Sequence, residues 1–403
     1  MWSSSAIRTR NVHLLKVSGA LTNAVFFCSF NPTDKATEAT MSPMLTPRIP
    51  GLESIQPGGS DTSPPTLLIR VYGPSTGTLI ERDEELRVLH TLSADYGLGP
   101  RIEGTFFNGR VEQFFPSHAL TPKHLRDPET SLLIARRMRE LHSVDLDALG
   151  FEDRTEPTVW QRIREWVPLA TKAAGLLEGI PDGDEWLKKF GLDRLGDELE
   201  KYIQWVNAQD GKGKARVFCR AYHRCNLSIF NADAPTPTIT DNDTQYGNIL
   251  ELEKTLPPGA PKHHQLIVID FEYAAPNYRG FDIANHFHEW QADYHHETHA
   301  HSLTYHAPYP TVDQREQFYR AYLSVHMDSR NGDESIGDMS KVERARIDAL
   351  EHEVRLWSPA SSAFWALWGI VQGEEQIEAL SSGKEAQLDF DYLVSCACEY
   401  LIP

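Results

Sequence analysis

The sequence predicts an α+β chain with a strand-rich N-terminal lobe over residues 1–115 and a helical C-terminal lobe over residues 116–403. Two patterns carry that division. Up to residue 115 the apolar runs are short and bounded by turn residues, as in antiparallel strands. From Pro128 onward apolar residues recur at three- and four-residue spacing, as on one face of a helix. A third observation locates the chemistry: an apolar strand, Leu266–Ile269, ends on Asp270, and Asp243 and Asn248 stand five positions apart on a nearby loop.

In chain order, Val12–Ser18 and Ala24–Phe30 read as two strands joined by the small-residue turn Gly19-Ala20-Leu21-Thr22-Asn23. Residues 32–65 are rich in Pro, Ser, Thr and Gly without a period, so a mobile insertion is expected there. Thr66–Tyr72 is the next strand and carries Arg70, a lone cation that is costly among apolar neighbours unless paired. Leu79–Leu92 reads as a helix whose Glu85 is the expected partner of Arg70. Arg101–Phe106 and Gly109–Phe115 form a hairpin about Asn108-Gly109, a strong turn signal. In Ser131–Val144 the residues Leu132, Ile134, Ala135, Met138 and Leu141 make an amphipathic helix. Thr158–Leu177, Leu195–Asn207, Val312–His326 and Val342–Val371 extend the helical lobe.

Composition removes several function classes. Acidic residues outnumber basic ones 57 to 39, a formal charge of −18, which argues against nucleic acid or an anionic membrane surface as partner. The same excess suits a cationic substrate. Five scattered cysteines fit a reduced, cytoplasmic compartment. Cys396-x-Cys398 lacks a second pair, and the run His295–His301 lacks tetrahedral ligand spacing, so neither reads as a zinc site. No apolar run is long enough to span a bilayer, and no signal peptide is expected at the N-terminus.

A loop Asp, an Asn five residues later and a strand-end Asp is the layout with which protein kinases orient a hydroxyl and hold metal ions. The expected fold is therefore protein-kinase-like and bilobal. At these residues the sequence resembles the choline/ethanolamine kinase family, its choline kinase branch (fungal-like), from about Val17 to Leu393. The resemblance is densest over Ile269-Asp270-Phe271-Glu272-Tyr273 and Asn277-Tyr278-Arg279-Gly280-Phe281-Asp282-Ile283-Ala284-Asn285-His286-Phe287. Gly280 and Glu289-Trp290 look like choline kinase rather than ethanolamine kinase.

The resemblance implies ATP and Mg2+ as cofactors, choline as substrate and phosphocholine as product, the first step of the CDP-choline route to phosphatidylcholine. It implies that Ser18, Gly19, Ala20, Leu21, Thr22 and Asn23 cover the phosphates, and that Arg70, fixed by Glu85, reaches them. It implies that adenine lies against Glu112, Gln113 and Phe114, and that Gln245 contacts the nucleotide. Asp243 then orients or deprotonates the choline hydroxyl, while Asn248 and Asp270 hold magnesium. The family's dimers make a homodimer an expectation. Choline has no N–H to donate, so aromatic faces and a carboxylate must hold it. Trp365 and Trp368, three apart on a predicted helix, share a face and with Glu289 and Tyr294 match the family's cage.

The chain departs from the family pattern twice. The family's His-Asn-Asp reads Asp241-Asn242-Asp243 here, and residues 220–241 show no helical or strand period. Deleting them and restoring one His regenerates the motif, and their bounding codons permit splice sites. They are expected to be an unspliced insert, which an uninterrupted dominant transcript across 220–241 would contradict. Asp241 is then expected to repel the carboxylates beside it. After Leu393 the family continues into a helix bearing another aromatic wall; residues 394–403 are expected to be a second read-through that loses that wall. The alternatives are an ethanolamine kinase, a catalytically impaired paralogue, and an aminoglycoside-type phosphotransferase, which has no need of paired tryptophans.

Overall fold

The computed structural model describes residues 11–17, 23–30, 65–73, 81–151, 156–210, 237–298, 300, 307–324, 336–383 and 391–399. The expected insertion at 32–65 lies outside them apart from Pro65. The chain divides into two compact units. The first comprises residues 1–119, 249–260 and 264–272; the second comprises 120–248, 261–263 and 273–403.

In the first unit, β1 (Val12–Val17), β2 (Asn23–Phe30), β3 (Leu67–Tyr72), β4 (Ile102–Phe106) and β5 (Gly109–Gln113) form an antiparallel sheet in the order β1-β2-β3-β5-β4. The β3–β5 register sets Arg70 directly opposite Arg110, so both guanidinium groups leave the same face. Helix α1 (Arg82–Asp95) buries Glu85, Val88, Leu89 and Leu92, a stripe at helical spacing. A second sheet joins β6 (Ser117–Ala119), β8 (Ile249–Leu252) and β9 (Leu266–Val268) in that order. This pairing brings residues 249–260 and 264–272 into the first unit, so a single boundary near residue 115 does not describe the division.

The second unit is built around helices. They are α2 (Pro122–Arg126), α3 (Pro128–Leu141), α4 (Thr158–Gly175), α5 (Gly183–Phe190), α6 (Leu192–Asp210), α7 (Arg279–Glu289), α8 (Val312–Ser324), α9 (Ile336–Gln372), α10 (Glu374–Ser381) and α11 (Tyr392–Glu399). Asp127 caps α3 by accepting the Thr130 backbone N–H at 2.9 Å, and Pro128 follows at the first helical position, where its missing N–H costs nothing. Helix α9 is the axis against which α4, α7 and α11 pack. Trp160 of α4 stacks on Trp357 of α9 with ring centres 4.7 Å apart.

Every residue of α7 is buried, so its polar side chains must find partners inside the protein. Gly280 permits the contact with α9: a Cβ there would meet the Glu353 carbonyl oxygen at 2.9 Å and the Trp357 ring at 3.0 Å. Beside it Arg279 grips Glu353 with two bonds of 2.8 and 2.7 Å. The glycine that distinguishes the sequence motif is thus a packing requirement.

Two stretches that departed from the family pattern prove to hold regular structure. Pro237–Thr240, inside the stretch read as lacking any strand period, form β7 and pair antiparallel with β10 (Ala275–Tyr278). Ile239, Thr240 and Asp241 are buried, and a four-residue strand is too short to register as a period. Residues 220–236 lie outside the described residues. Tyr392–Glu399 is helical and packs on α9, so the residues expected to be a second read-through begin inside a helix. Among the described residues no helix is long and apolar enough to cross a membrane.

Candidate active site

In the first unit, β9 delivers Asp270 from its end. The residue adopts φ 68°, a left-handed conformation that a non-glycine residue tolerates best as Asp or Asn. Arg70 donates to Asp270 at 2.8 Å and ion-pairs with Glu112 at 3.3 Å. Its expected partner, Glu85, is engaged elsewhere: it accepts from Arg110 at 2.6 Å and from Arg82 at 2.6 Å. The cross-strand register explains the exchange. Arg110 shares Arg70's face of the sheet and takes the α1 carboxylate, leaving Arg70 for Asp270. Burial opposes the charge on Arg70, but Asp270 and Glu112 outweigh it and hold its pKa above the ordinary value. Glu112, expected beside adenine, is likewise bound by Arg110 at 2.5 Å.

Two residues past Asp270, Glu272 accepts from Asn23 at 3.2 Å and from Arg82 at 3.4 Å. Burial first, then the negative charge of Asp270, push its carboxyl up to about 7. One oxygen each of Glu85, Asp270 and Glu272 lie within 4.8 Å of one another. Such a cluster of hard oxygen donors fits a divalent cation of the magnesium type.

The loop bearing Asp243 is held from several directions. Asn242 has φ 65°, and conformations of this kind persist only where the surroundings over-determine them. Its backbone N–H donates to Asp282 at 2.7 Å, and its carbonyl accepts from Asn285 Nδ2 at 3.1 Å. Its side chain donates to the Tyr273 carbonyl at 2.7 Å and accepts from Asn277 at 3.0 Å and Thr240 at 2.7 Å. His286 Nδ1 meets the Thr244 carbonyl at 2.9 Å, and Trp290 donates to its Nε2. Burial holds the His286 pKa down to about 4, so the ring is neutral, with Nδ1 as donor. Asp282, Asn285 and His286 share one face of α7 by their spacing. That helix is the template for the loop.

Asp243 accepts from Asn248 Nδ2 at 2.8 Å, and Asn248 Oδ1 in turn accepts from Gln245 Nε2 at 3.4 Å. The Asp241 side chain accepts from Thr244 Oγ1 at 3.2 Å, and its backbone N–H reaches Asp282 at 3.4 Å. One oxygen of the carboxylate that replaces the family His is thus bonded inside its own turn.

The residues expected to form the cage fall into two groups tied to α7. Tyr294 donates to both oxygens of Glu289, each at 2.9 Å, and its ring stacks on Tyr246. Burial pushes the Glu289 carboxyl up to about 7, against the opposing hydrogen bond from Tyr294. Trp365 and Trp368 lie edge to face with centres 5.4 Å apart. Tyr273 adds a third ring, 5.3 Å from Trp365, and accepts Trp368 Nε1 at 2.7 Å. Tyr392, just before the departing tail, adds a fourth, 5.6 Å from Trp368.

Ser18, Gly19, Ala20, Leu21 and Thr22 lie outside the described residues. Gln113 ends β5, and Phe114 packs on Phe27 at 5.3 Å. The residues not foreseen are Arg82, Arg110, Glu272, Tyr273, Asp282, Asn285, His286 and Tyr392. Arg110 carried the same signal as Arg70, a cation inside an apolar strand.

Comparison with known proteins agrees with this geometry. A profile of the choline/ethanolamine kinase family matches residues 14–399. The choline kinase of Schizosaccharomyces pombe is 32% identical over 91% of this chain and 72% of its own length. The ethanolamine kinase of Saccharomyces cerevisiae is 29% identical over 76% of this chain and 54% of its own length. In fold, the chain matches a choline kinase from Cryptosporidium parvum with a TM-score of 0.63 at 22% identity, covering 98% of this chain and 88% of that one. With its antiparallel sheet unit, its helical unit and a family match spanning nearly its whole length, this chain belongs to the choline/ethanolamine kinase family.

Proposed function

We propose that this chain is a cytoplasmic choline kinase that transfers the γ-phosphate of ATP to the hydroxyl of choline, giving phosphocholine and ADP. The observation that carries the choice of choline is the set of rings at Tyr273, Trp365, Trp368 and Tyr392 beside the α7 that bears the buried Glu289. A trimethylammonium group donates no hydrogen bond, and aromatic faces with one counter-charge are what bind it. Ethanolamine would ask for acceptors at its three N–H groups instead.

Asp243 accepts the hydroxyl proton and aims the oxygen, with Asn248 fixing its rotamer. Arg70 draws the phosphates toward Asp270. Asp270 and Glu272 would offer hard oxygen ligands to magnesium, as would Asn248 on its own loop, and the ion would supply charge neutralisation of the phosphate oxygens. Gln245 contacts the nucleotide, and Glu289 with Tyr294 neutralises the choline cation.

The substrate comparison tests this directly. The kcat/KM for choline is expected to exceed that for ethanolamine by at least about tenfold, the equivalent of roughly 1.4 kcal/mol of discrimination. Equal values for the two alcohols, or a preference for ethanolamine, would reassign the substrate.

The site also has a pH signature. Glu289 titrates near 7 in the free site, and a bound cation favours its ionised form. Choline KM is therefore expected to be flat above about pH 8 and to rise as pH falls below 7, approaching tenfold per unit. Glu289→Gln should raise KM and flatten that limb. A pH-independent KM in the unaltered enzyme between pH 6 and 8 would remove Glu289 from the role.

A further inference from the structure

Both cage tryptophans are wired to the same residue, the one preceding Asp243. Trp365 Nε1 donates to Asn285 Oδ1 at 2.6 Å, and Asn285 Nδ2 donates to the Asn242 carbonyl at 3.1 Å. Trp368 Nε1 donates to the Tyr273 hydroxyl at 2.7 Å, and the Tyr273 carbonyl accepts Asn242 Nδ2 at 2.7 Å. Of the two links, only the Asn285 link runs entirely through one side-chain amide. That amide is 1% exposed, and Ser361 Oγ donates to its Oδ1 at 3.0 Å, which fixes the oxygen toward Trp365 and the nitrogen toward the loop.

We propose that Asn285 is a positioning residue that couples occupancy of the cation cage to the placement of Asp243, so that a substrate filling the cage is also a substrate correctly aimed. This rests on the assignment of Asp243 as the hydroxyl-orienting group and of Trp365 as a wall of the cage. The physical basis is short. The Asn242 carbonyl belongs to the peptide unit whose nitrogen is that of Asp243, so Asn285 holds the plane from which the Asp243 side chain departs. A swing of the Trp365 ring toward or away from a bound cation must either move the acceptor on the same amide or break the 2.6 Å bond to it. A displacement of about 1 Å at a reacting group can cost a hundredfold in rate. Discrimination between methylated and unmethylated amines then appears in kcat as well as in KM.

Asn285→Asp is the first test, since it keeps the acceptor for Trp365 and Ser361 and removes the donor to Asn242. The expected result is a kcat for choline lowered about a hundredfold, with the choline dissociation constant, read from tryptophan fluorescence, changed by less than about threefold. In an Asp243→Asn background the same change is expected to cost less than about twofold, because the group it positions is already disabled. Full additivity of the two losses would overturn the proposal, as would a kcat within about twofold of wild type. Ser361→Ala is the gentler variant should Asn285→Asp fail to fold. Loss of one neutral hydrogen bond predicts kcat lowered about fivefold with choline binding retained, and an unchanged kcat overturns the coupling. Wild-type turnover is the control: its absence rejects the choline kinase assignment, whereas an active wild type beside an equally active Asn285→Asp enzyme rejects only the coupling.

Discussion

Replacing Asp243 by Asn is expected to lower kcat for choline about a thousandfold, within the range a positioned general base contributes. The substitution is nearly isosteric, and an amide oxygen can still accept the 2.8 Å bond from Asn248 Nδ2. The loop geometry does not depend on the Asp243 carboxylate: Asp282, Asn285 and His286 hold it through the backbone of Asn242 and Thr244. Arg70 and Asp270, proposed to serve the nucleotide, belong to the other unit and keep their own 2.8 Å pair. ATP affinity by calorimetry is therefore expected to stay within about threefold and thermal stability to be nearly unchanged, so that the loss is confined to turnover. Turnover within about tenfold of wild type would remove Asp243 from the chemistry.

Glu353→Ala is expected to destabilise the second unit by about 3–5 kcal/mol, the cost of stripping a carboxylate from a buried guanidinium. Arg279 and Glu353 are joined by bonds of 2.8 and 2.7 Å, and both are buried where α7 meets α9. The contact lies beside Gly280, where the helices approach too closely for a side chain to fill the gap. The loss should register as a fall in apparent Tm on the order of 10 °C. Activity should fall with it, because α7 is the helix that carries Asp282, Asn285 and His286. The double variant Arg279→Met with Glu353→Met is expected to recover most of the stability, since apolar replacement of a buried pair is commonly neutral. A single variant that melts within about 2 °C of wild type would show that the pair contributes little.

What the sequence made legible follows from how local each feature is. Asp270 could be placed because an apolar strand leads straight into it, and Asp243 with Asn248 because five residues on one loop keep a fixed relation. The pairing of Arg70 differs from the sequence expectation because it is set by the β3–β5 register, which places Arg110 beside it and which no single strand encodes. The motif that contains Asp282, Asn285 and His286 does not reveal what each of them does. On a helix buried on all sides, hydrophobic periodicity does not separate the face that holds the loop from the face that fills the core. β7 was hidden because four residues give no measurable alternation, and Tyr392 because its neighbour Trp368 lies far away in sequence. Asp241 looked like a defect against the family motif. Its partners, Thr244 and Asp282, come from one turn onward and from α7, and only the folded chain reveals them.

The most direct test is product identification. The purified full-length chain, incubated with ATP, Mg2+ and choline and followed by 31P NMR, is expected to yield phosphocholine and ADP in equal amounts, with no phosphocholine from the Asp243→Asn protein on the same timescale. A chain that is folded by circular dichroism and binds ATP, yet leaves choline unphosphorylated, would contradict the assignment.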